Sequence, residues 1–468
     1  MEAIYNNWLY KFIAGPLYDI AWLYILLPCV FIGGLYFTVR SGFVQIRHFG
    51  HAMKNTVGKM FKKTEAGEGA VTPLQAVTTA LSATVGTGNI VGTSQAIAMG
   101  GYGAVFWLWV AALLGMVIKY AEIVLAVEYR ERNAKGDWVG GPMYYITKGL
   151  GKNWKWLSVL FCLFGILASF GIGNMSQINS IVGSVSAAVG AFAPAAADSL
   201  TLKWALGILL AILTMLVLFG GIKRIGTVTE KLIPFMSILY IVFTLIVILG
   251  NIGNVGHAFG LIFKAAFAPK AVMGAASGIA LRQAVVWALR RSAFSNEAGL
   301  GSAPIAHAAA ECEGSVQQGF YGIFEVFMDT MVICTLTSLT VIISGVDITF
   351  GVKPGSEIIT AAFATVFGTK LSTIFVAIAL MFFAYSTVLG WSLYGTRCTE
   401  YLFGFKASRI YQAIFVCIII VGAVSSLDFV WNMADTFNGL MAIPNFIALF
   451  VLSPVVFRLT KKYFAEKK

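Results

Sequence analysis

The sequence predicts an all-α polytopic membrane protein of about eleven transmembrane helices: a 5+5 inverted-repeat core preceded by one extra N-terminal helix. Three observations carry that prediction. Of the 468 residues, 58% are hydrophobic and only 12% charged, at a mean hydropathy of +0.82; soluble domains carry ~25% charged residues. Residues 69–118 run for fifty positions without a charged side chain, enough for two crossings at ~20 residues each. Within that run, and again near Ser295, glycine-rich polar stretches interrupt segments that otherwise read as membrane helices.

Eleven spans are expected, at 18–39, 73–99, 102–127, 156–189, 203–220, 232–250, 271–310, 320–344, 370–396, 409–426 and 431–457. Segments 156–189 and 271–310 exceed one straight crossing, so tilt or interruption is expected there. The domain reading is 1–70 for the extra helix and a basic segment, 71–250 for the first repeat, and 251–468 for the second repeat and tail. The 33 Lys and Arg orient the chain. With the N-terminus outside, segments 40–70, 129–155, 221–231, 311–319, 397–409 and the C-terminal tail face the cytoplasm. They hold 6, 6, 3, 0, 3 and 5 basic residues, 23 in all, against 6 outside and 4 within spans. Such a bias is the positive-inside pattern. The net charge of +12 therefore reports topology in a cell membrane; lipids, and no nucleic acid, are the expected surroundings. The N-terminus lacks a basic stretch and no A-x-A site follows its first apolar run, so no cleaved signal peptide is expected. Six cysteines without CxxC or CxH spacing read as packing residues.

In the first inward segment, apolar residues at 43, 46, 49, 53, 57 and 60 recur at helical spacing with Arg and Lys between them. That pattern fits a helix on an anionic leaflet or a packed connector. His48 and His51 stand one turn apart, without an accompanying carboxylate or Cys.

The first interruption is Thr84-Val-Gly-Thr-Gly-Asn-Ile-Val-Gly92. Each glycine inside a helix costs ~1 kcal/mol relative to Ala, and broken backbone at membrane depth is tolerated only inside protein or along a cavity. The second is Arg290-Arg-Ser-Ala-Phe-Ser-Asn-Glu-Ala-Gly-Leu-Gly-Ser302, within a segment that as one straight helix would run ~60 Å, twice the hydrocarbon core. The two lie five spans apart. Paired broken helices in corresponding positions mark an inverted-repeat transporter, with substrate and coupling ion at the breaks. No HExxH, paired-Asp, Ser–His or ATP-binding motif points to an enzyme or a primary pump, and no filter repeat points to a channel.

These blocks, with Gly140-Gly-Pro-Met-Tyr-Tyr-Ile146 between them, resemble the alanine or glycine:cation symporter family, and the resemblance covers almost the whole chain. It implies a leucine-transporter-like fold and cotransport of Na⁺, in some members H⁺, with small neutral amino acids such as alanine and glycine.

Gly86, Thr87 and Gly88 let backbone N–H groups approach a ligand closely, and the amides around Thr87 and Gly88 are the expected seat of a substrate carboxylate, with Thr84 beside them. By resemblance, Asn89 and Ser295 fall where relatives coordinate a substrate-linked Na⁺; Ser295 stands where those relatives usually carry Thr. Ser386 and Thr387 follow Phe383 at i+3 and i+4, so two hydroxyls and one carbonyl can point to one spot. The resemblance makes that spot a second Na⁺ site completed by the Ser82 and Val85 carbonyls, an oxygen set suited to a hard cation. The competing reading is back-bonding within the helix. Trp391, Phe294, Phe170, Asn174 and Gln177 are the expected walls of a small side-chain pocket, the last three sharing one helix face. Among ionisable residues within spans, Lys119 is expected to pair with Glu122, while Arg290, Arg291 and Glu297 are expected to form a network beside the second break.

Overall fold

The computed structural model describes residues 8–60, 67, 69–197, 199–268 and 281–466. It is built of helices apart from one small hairpin, Glu131–Arg132 against Trp138–Val139. Helix α1 covers Gly15–Arg40. Short helical turns follow at Val44–Arg47, Phe49–Asn55 and Val57–Met60. They serve as a packed connector: His48 stacks on Phe464, His51 meets the Tyr463 hydroxyl, and Phe49 packs on Phe327.

Helix α2, Pro73–Thr84, starts at a reciprocal cap in which Thr72 accepts from the Gln75 amide and Gln75 accepts from the Thr72 amide. Proline at the first helical position loses no hydrogen bond there. The chain opens at Val85–Thr87 and resumes as a wide-turned stretch, Gly88–Gly92, that runs into α3, Thr93–Gly100. Helix α4, Ala104–Glu128, is largely buried at the centre. Helices α5, Lys152–Gly190, α6, Leu200–Leu218, and α7, Gly221–Gly250, follow. The outer faces of α6 and α7 expose Leu, Ile and Phe along most of their length, as a bilayer-facing surface does.

Helix α8, Val255–Phe267, precedes α9, Leu281–Asn296, which breaks at Glu297–Ser302 before α10, Ala303–His307. The expected span 271–310 begins at 271–280, which lie outside the described residues. Helix α11 covers Ser315–Ile343 and α12 Glu357–Phe367. Helix α13, Thr369–Val424, is two arms joined at Gly404, whose φ of 80° only glycine adopts easily. The chain doubles back there: Gln412 donates to Thr396 at 3.5 Å, and a Cβ on Gly395 would overlap the Tyr411 hydroxyl. Helix α14, Leu427–Ala465, closes the bundle.

Eight helices among the described residues are long and apolar enough to cross a membrane. Two of the expected spans share α13, and the broken pairs α2/α3 and α9/α10 fall short because each is in pieces. The start of the first broken pair is tied to the end of the second: the Val71 amide donates to Ala309, the Glu311 amide to Val71, and Arg130 to the carbonyls of Ala308 and Ala310.

Candidate functional site

The two breaks meet. A Cβ on Gly88 would lie 3.1 Å from Ser295, so the first break presses its backbone against the side chain at the end of α9. At the first break the Asn89 carboxamide turns back to accept the Gly86 amide at 2.8 Å, and Gln177 of α5 reaches in to accept the Thr87 amide at 3.3 Å. Thr87 is fully buried, and its hydroxyl makes no hydrogen bond to protein. These donors and acceptors satisfy part of what an open turn leaves unpaired.

Four of the five oxygens expected around the second cation converge. The Thr387 hydroxyl lies 2.9 Å from the Ser82 carbonyl and 3.1 Å from the Phe383 carbonyl; Ser386 lies 2.8 Å from Phe383 and 3.5 Å from Ser82. Back-bonding within α13 and a shared oxygen cluster are thus one arrangement, since both hydroxyls bridge to α2. Val85 forms the extended step directly after that helix, and a Cβ on Gly86 would overlap the Thr387 hydroxyl.

The other expected residues divide. Trp391 is fully buried, and its ring lies so close to Gly173 of α5 that a Cβ there would overlap it; the indole is packed inside the bundle and does not face lipid. Phe294 stacks on Trp431 with ring centroids 4.9 Å apart and carries the Arg291 guanidinium above it. Of the three residues on one face of α5, only Gln177 reaches the break. Asn174 donates to the Phe415 carbonyl at 2.7 Å, and Phe170 packs on Tyr411 and Phe415, both in the second arm of α13. Thr84 accepts from Lys119 at 3.3 Å.

The buried charges correct two sequence expectations. Lys119 does not pair with Glu122: its ammonium lies 2.9 Å from Glu325 and 2.8 Å from the Asn296 carbonyl. Those partners are on α11 and at the end of α9, because the helix turn points Lys119 at the joint of the breaks. Glu122 instead accepts the Gly301 amide at 3.0 Å and Asn445 at 2.5 Å. Nor do Arg290, Arg291 and Glu297 form one network. Arg291 pairs with Asp435 at 2.5 Å and Arg290 lies 3.7 Å from Asp19, while Glu297 turns the other way and accepts from Ser302 at 2.6 Å.

Sequence reasoning missed Asp329 and Glu325, both fully buried on α11. Asp329 accepts from Asn89 at 2.6 Å and from Ser295 at 3.0 Å, joining the two breaks. Glu325 also pairs with His307, whose other ring nitrogen meets Gln318. Two acids at i, i+4 inside an apolar span were the available signal. The Gly-Gly-Pro block has a structural reading: a Cβ on Gly301, at φ +79°, would overlap Pro142, and one on Gly141 would overlap Ile305. The block seats the second break.

A sequence model described as the sodium:alanine symporter family matches residues 6–468. The chain is 45% identical to the sodium/alanine symporter AgcS of Methanococcus maripaludis, over 92% of each chain. It is 36% identical to the probable sodium/glutamine symporter GlnT of Bacillus subtilis, over 97% of this chain and 91% of the relative. In fold it is similar to MhsT, crystallised with L-phenylalanine, at a TM-score of 0.61 and 15% identity over 83% of this chain and 90% of that one. The architecture is thus leucine-transporter-like, and the expected all-α polytopic membrane fold stands. The chain is a multi-pass membrane transporter and no enzyme, and it belongs to the sodium:alanine symporter family.

Proposed function

We propose that this transporter carries small neutral amino acids, alanine and glycine, into the cell together with Na⁺ by alternating access. The observation that carries the reading is the convergence of the Ser82 and Phe383 carbonyls with the Ser386 and Thr387 hydroxyls, directly beneath the Gly86 break. That set, with the Val85 carbonyl, offers a hard monovalent ion neutral oxygens. Asn89 and Ser295 hold a second Na⁺ at the joint of the breaks. The amino-acid carboxylate sits on the amides of Thr87 and Gly88, with the Thr87 hydroxyl and Gln177 as further polar contacts and Thr84 below. Trp391, Phe294, Phe170 and Asn174 bound the space for the side chain, and bulky walls favour a methyl group or hydrogen there.

The name of the Methanococcus relative supports alanine with Na⁺; the Bacillus relative named for glutamine supports a second reading, another amino acid on the same fold. The chain crosses eleven times, with repeats at 71–250 and 251–468, the N-terminus outside and the C-terminus in the cytoplasm. Uptake of labelled alanine into proteoliposomes at fixed pH tests the coupling. Accumulation is expected under an inward Na⁺ gradient and not when choline replaces Na⁺. Accumulation driven by a proton gradient alone would reject Na⁺ coupling. Competition by glutamine stronger than by alanine and glycine would select the second reading.

A further inference from the structure

Four side chains buried to 2% exposure or less keep hydrogen-bonding atoms that no group of the protein meets. They are the carboxamide of Asn438 at both ends, the Oε1 of Glu297, the indole nitrogen of Trp391 and the hydroxyl of Tyr394. A buried polar atom without a partner costs free energy, so such atoms gathered at one place point to a ligand that completes them.

Packing brings the four together. The Tyr394 and Trp391 rings meet edge to face with centroids 5.5 Å apart, and the Trp391 indole nitrogen lies beside the Glu297 carboxylate without closing a hydrogen bond to it. Glu297 itself holds a φ of 57°, a backbone that glycine adopts far more easily, and only its Oε2 is engaged, by Ser302. Asn438 comes from α14. On that helix Trp431 stacks on Phe294, Asp435 pairs with Arg291 and Asn445 donates to the Gly299 carbonyl. Positions 431, 435, 438 and 445 repeat at helical spacing, so Asn438 faces the second break between Phe294 and Gly299. Depth agrees. Cys398 and Met441 both press on Gly165 of α5, while further along α5 Gly171 meets Ala434 and Gly173 meets Trp391. The first arm of α13 and helix α14 therefore run the same way, and Tyr394 and Asn438 stand about one turn before Cys398 and Met441.

The cluster adjoins the space proposed for the substrate side chain, because Trp391 bounds that space and Glu297 follows Phe294 by three residues. It sets an acceptor, the Glu297 Oε1, beside two donors, the N–H groups of Trp391 and Asn438. A hydroxyl is the small group that satisfies both kinds at once, donating to the carboxylate and accepting from an N–H. We infer that this cluster reads a hydroxyl on the β-carbon of the substrate, so that the transporter takes serine beside alanine and glycine and rejects α-aminobutyrate, which puts a methyl group in the same volume. The inference rests on the small-neutral-amino-acid reading above and deepens it. Alanine and glycine leave room for a water that pairs with these groups; the extra methyl of α-aminobutyrate displaces that water and pairs with none of them.

The test is competition by unlabelled serine and α-aminobutyrate against Na⁺-driven uptake of labelled alanine, with the full-length protein in proteoliposomes. In the wild type serine should compete roughly tenfold better than its isostere, the effect of one buried polar group left unpaired. Asn438→Leu, which keeps the shape and removes the amide, and Glu297→Gln, which removes the charged acceptor, should each narrow that ratio toward parity. The ratio is the readout, so a lower overall rate in a variant does not obscure it. Equal competition by the two amino acids in the wild type overturns the inference with no variant needed. So does a wild-type preference for serine that both variants keep. Should both variants aggregate, Trp391→Phe is read in their place: it keeps a ring and removes the N–H, and an unchanged ratio there also overturns the assignment. If labelled alanine does not accumulate with Na⁺ in the wild type, the reading above falls instead, before serine enters.

Discussion

The Thr387 hydroxyl shows how much one side chain can carry. It touches carbonyls on two helices, Ser82 of α2 and Phe383 of its own helix. A neutral hydrogen-bonding ligand is worth about 1 kcal/mol, so Thr387→Ala should raise the Na⁺ concentration for half-maximal alanine uptake roughly fivefold. Folding should suffer less, because Ser386 still bridges to Phe383. Unchanged Na⁺ dependence in a Ser386→Ala/Thr387→Ala double variant would remove these residues from the ion path. The convergence of these oxygens was legible in the sequence because Ser and Thr next to each other at helical spacing, or glycine at mid-membrane, contradict their surroundings. The spacing of Glu325 and Asp329 was a signal, but what Asp329 touches was not legible, since Asn89 and Ser295 lie 240 and 34 positions away along the chain. The partner of Asn174, the Phe415 carbonyl, was hidden for a related reason. Sharing a face with Gln177 does not fix where that face points once the helix turns wide at Gly171–Met175.

At the scale of elements, Lys119 of α4 holds the ends of two broken helices. Its ammonium binds the Thr84 hydroxyl at the end of α2 and the Asn296 carbonyl at the end of α9, where cations suit the dipole. Glu325 of α11 neutralises it at 2.9 Å. Lys119→Met should leave Glu325 with His307 as its one remaining partner and cost about 3 kcal/mol, read as a drop in melting temperature and in monodisperse yield. Removing both charges in Lys119→Met/Glu325→Leu should recover much of the stability, because two apolar side chains can replace a buried pair. Transport should stay impaired in the double variant if the tie itself aligns the breaks; full recovery of uptake would make the pair structural only. The broken helices themselves were readable as elements, from the glycines and from a segment too long for one crossing. Their tie was not, since Lys119 and Glu122 at i, i+3 offered a local pair that the fold does not use.

For the whole molecule, the proposed orientation rests on the 23 basic residues in alternate connecting segments against 6 in the others. Single cysteines in place of Lys152 and Lys353 test it in whole cells with an impermeant thiol reagent, on a background whose only exposed native cysteine, Cys417 among the described residues, is replaced by Ser. The Lys353 position should label and the Lys152 position should not; labelling at Lys152 from outside would invert the topology. Lys63, which the same charge pattern places inside, lies outside the described residues. Overall architecture was the most legible layer, because hydropathy and Lys/Arg placement act on every span at once. The spans that the helices alone do not separate are those where the chain turns without a loop, at Gly404, or breaks within the membrane.

The turn at Gly404 brings the two arms of α13 back to back. The first arm of α13 carries Ser386 and Thr387; the second is fastened to α5 by Asn174 on the Phe415 carbonyl and Ser169 on Tyr411. Helix α5 in turn holds the first break through Gln177. Ser386 and Thr387, the proposed ion ligands, are thus joined through the second arm of α13 and through α5 back to the Thr87 amide. On the proposed reading, ion and amino acid then sit at two ends of one linkage, and the arrival of one would be felt by the other.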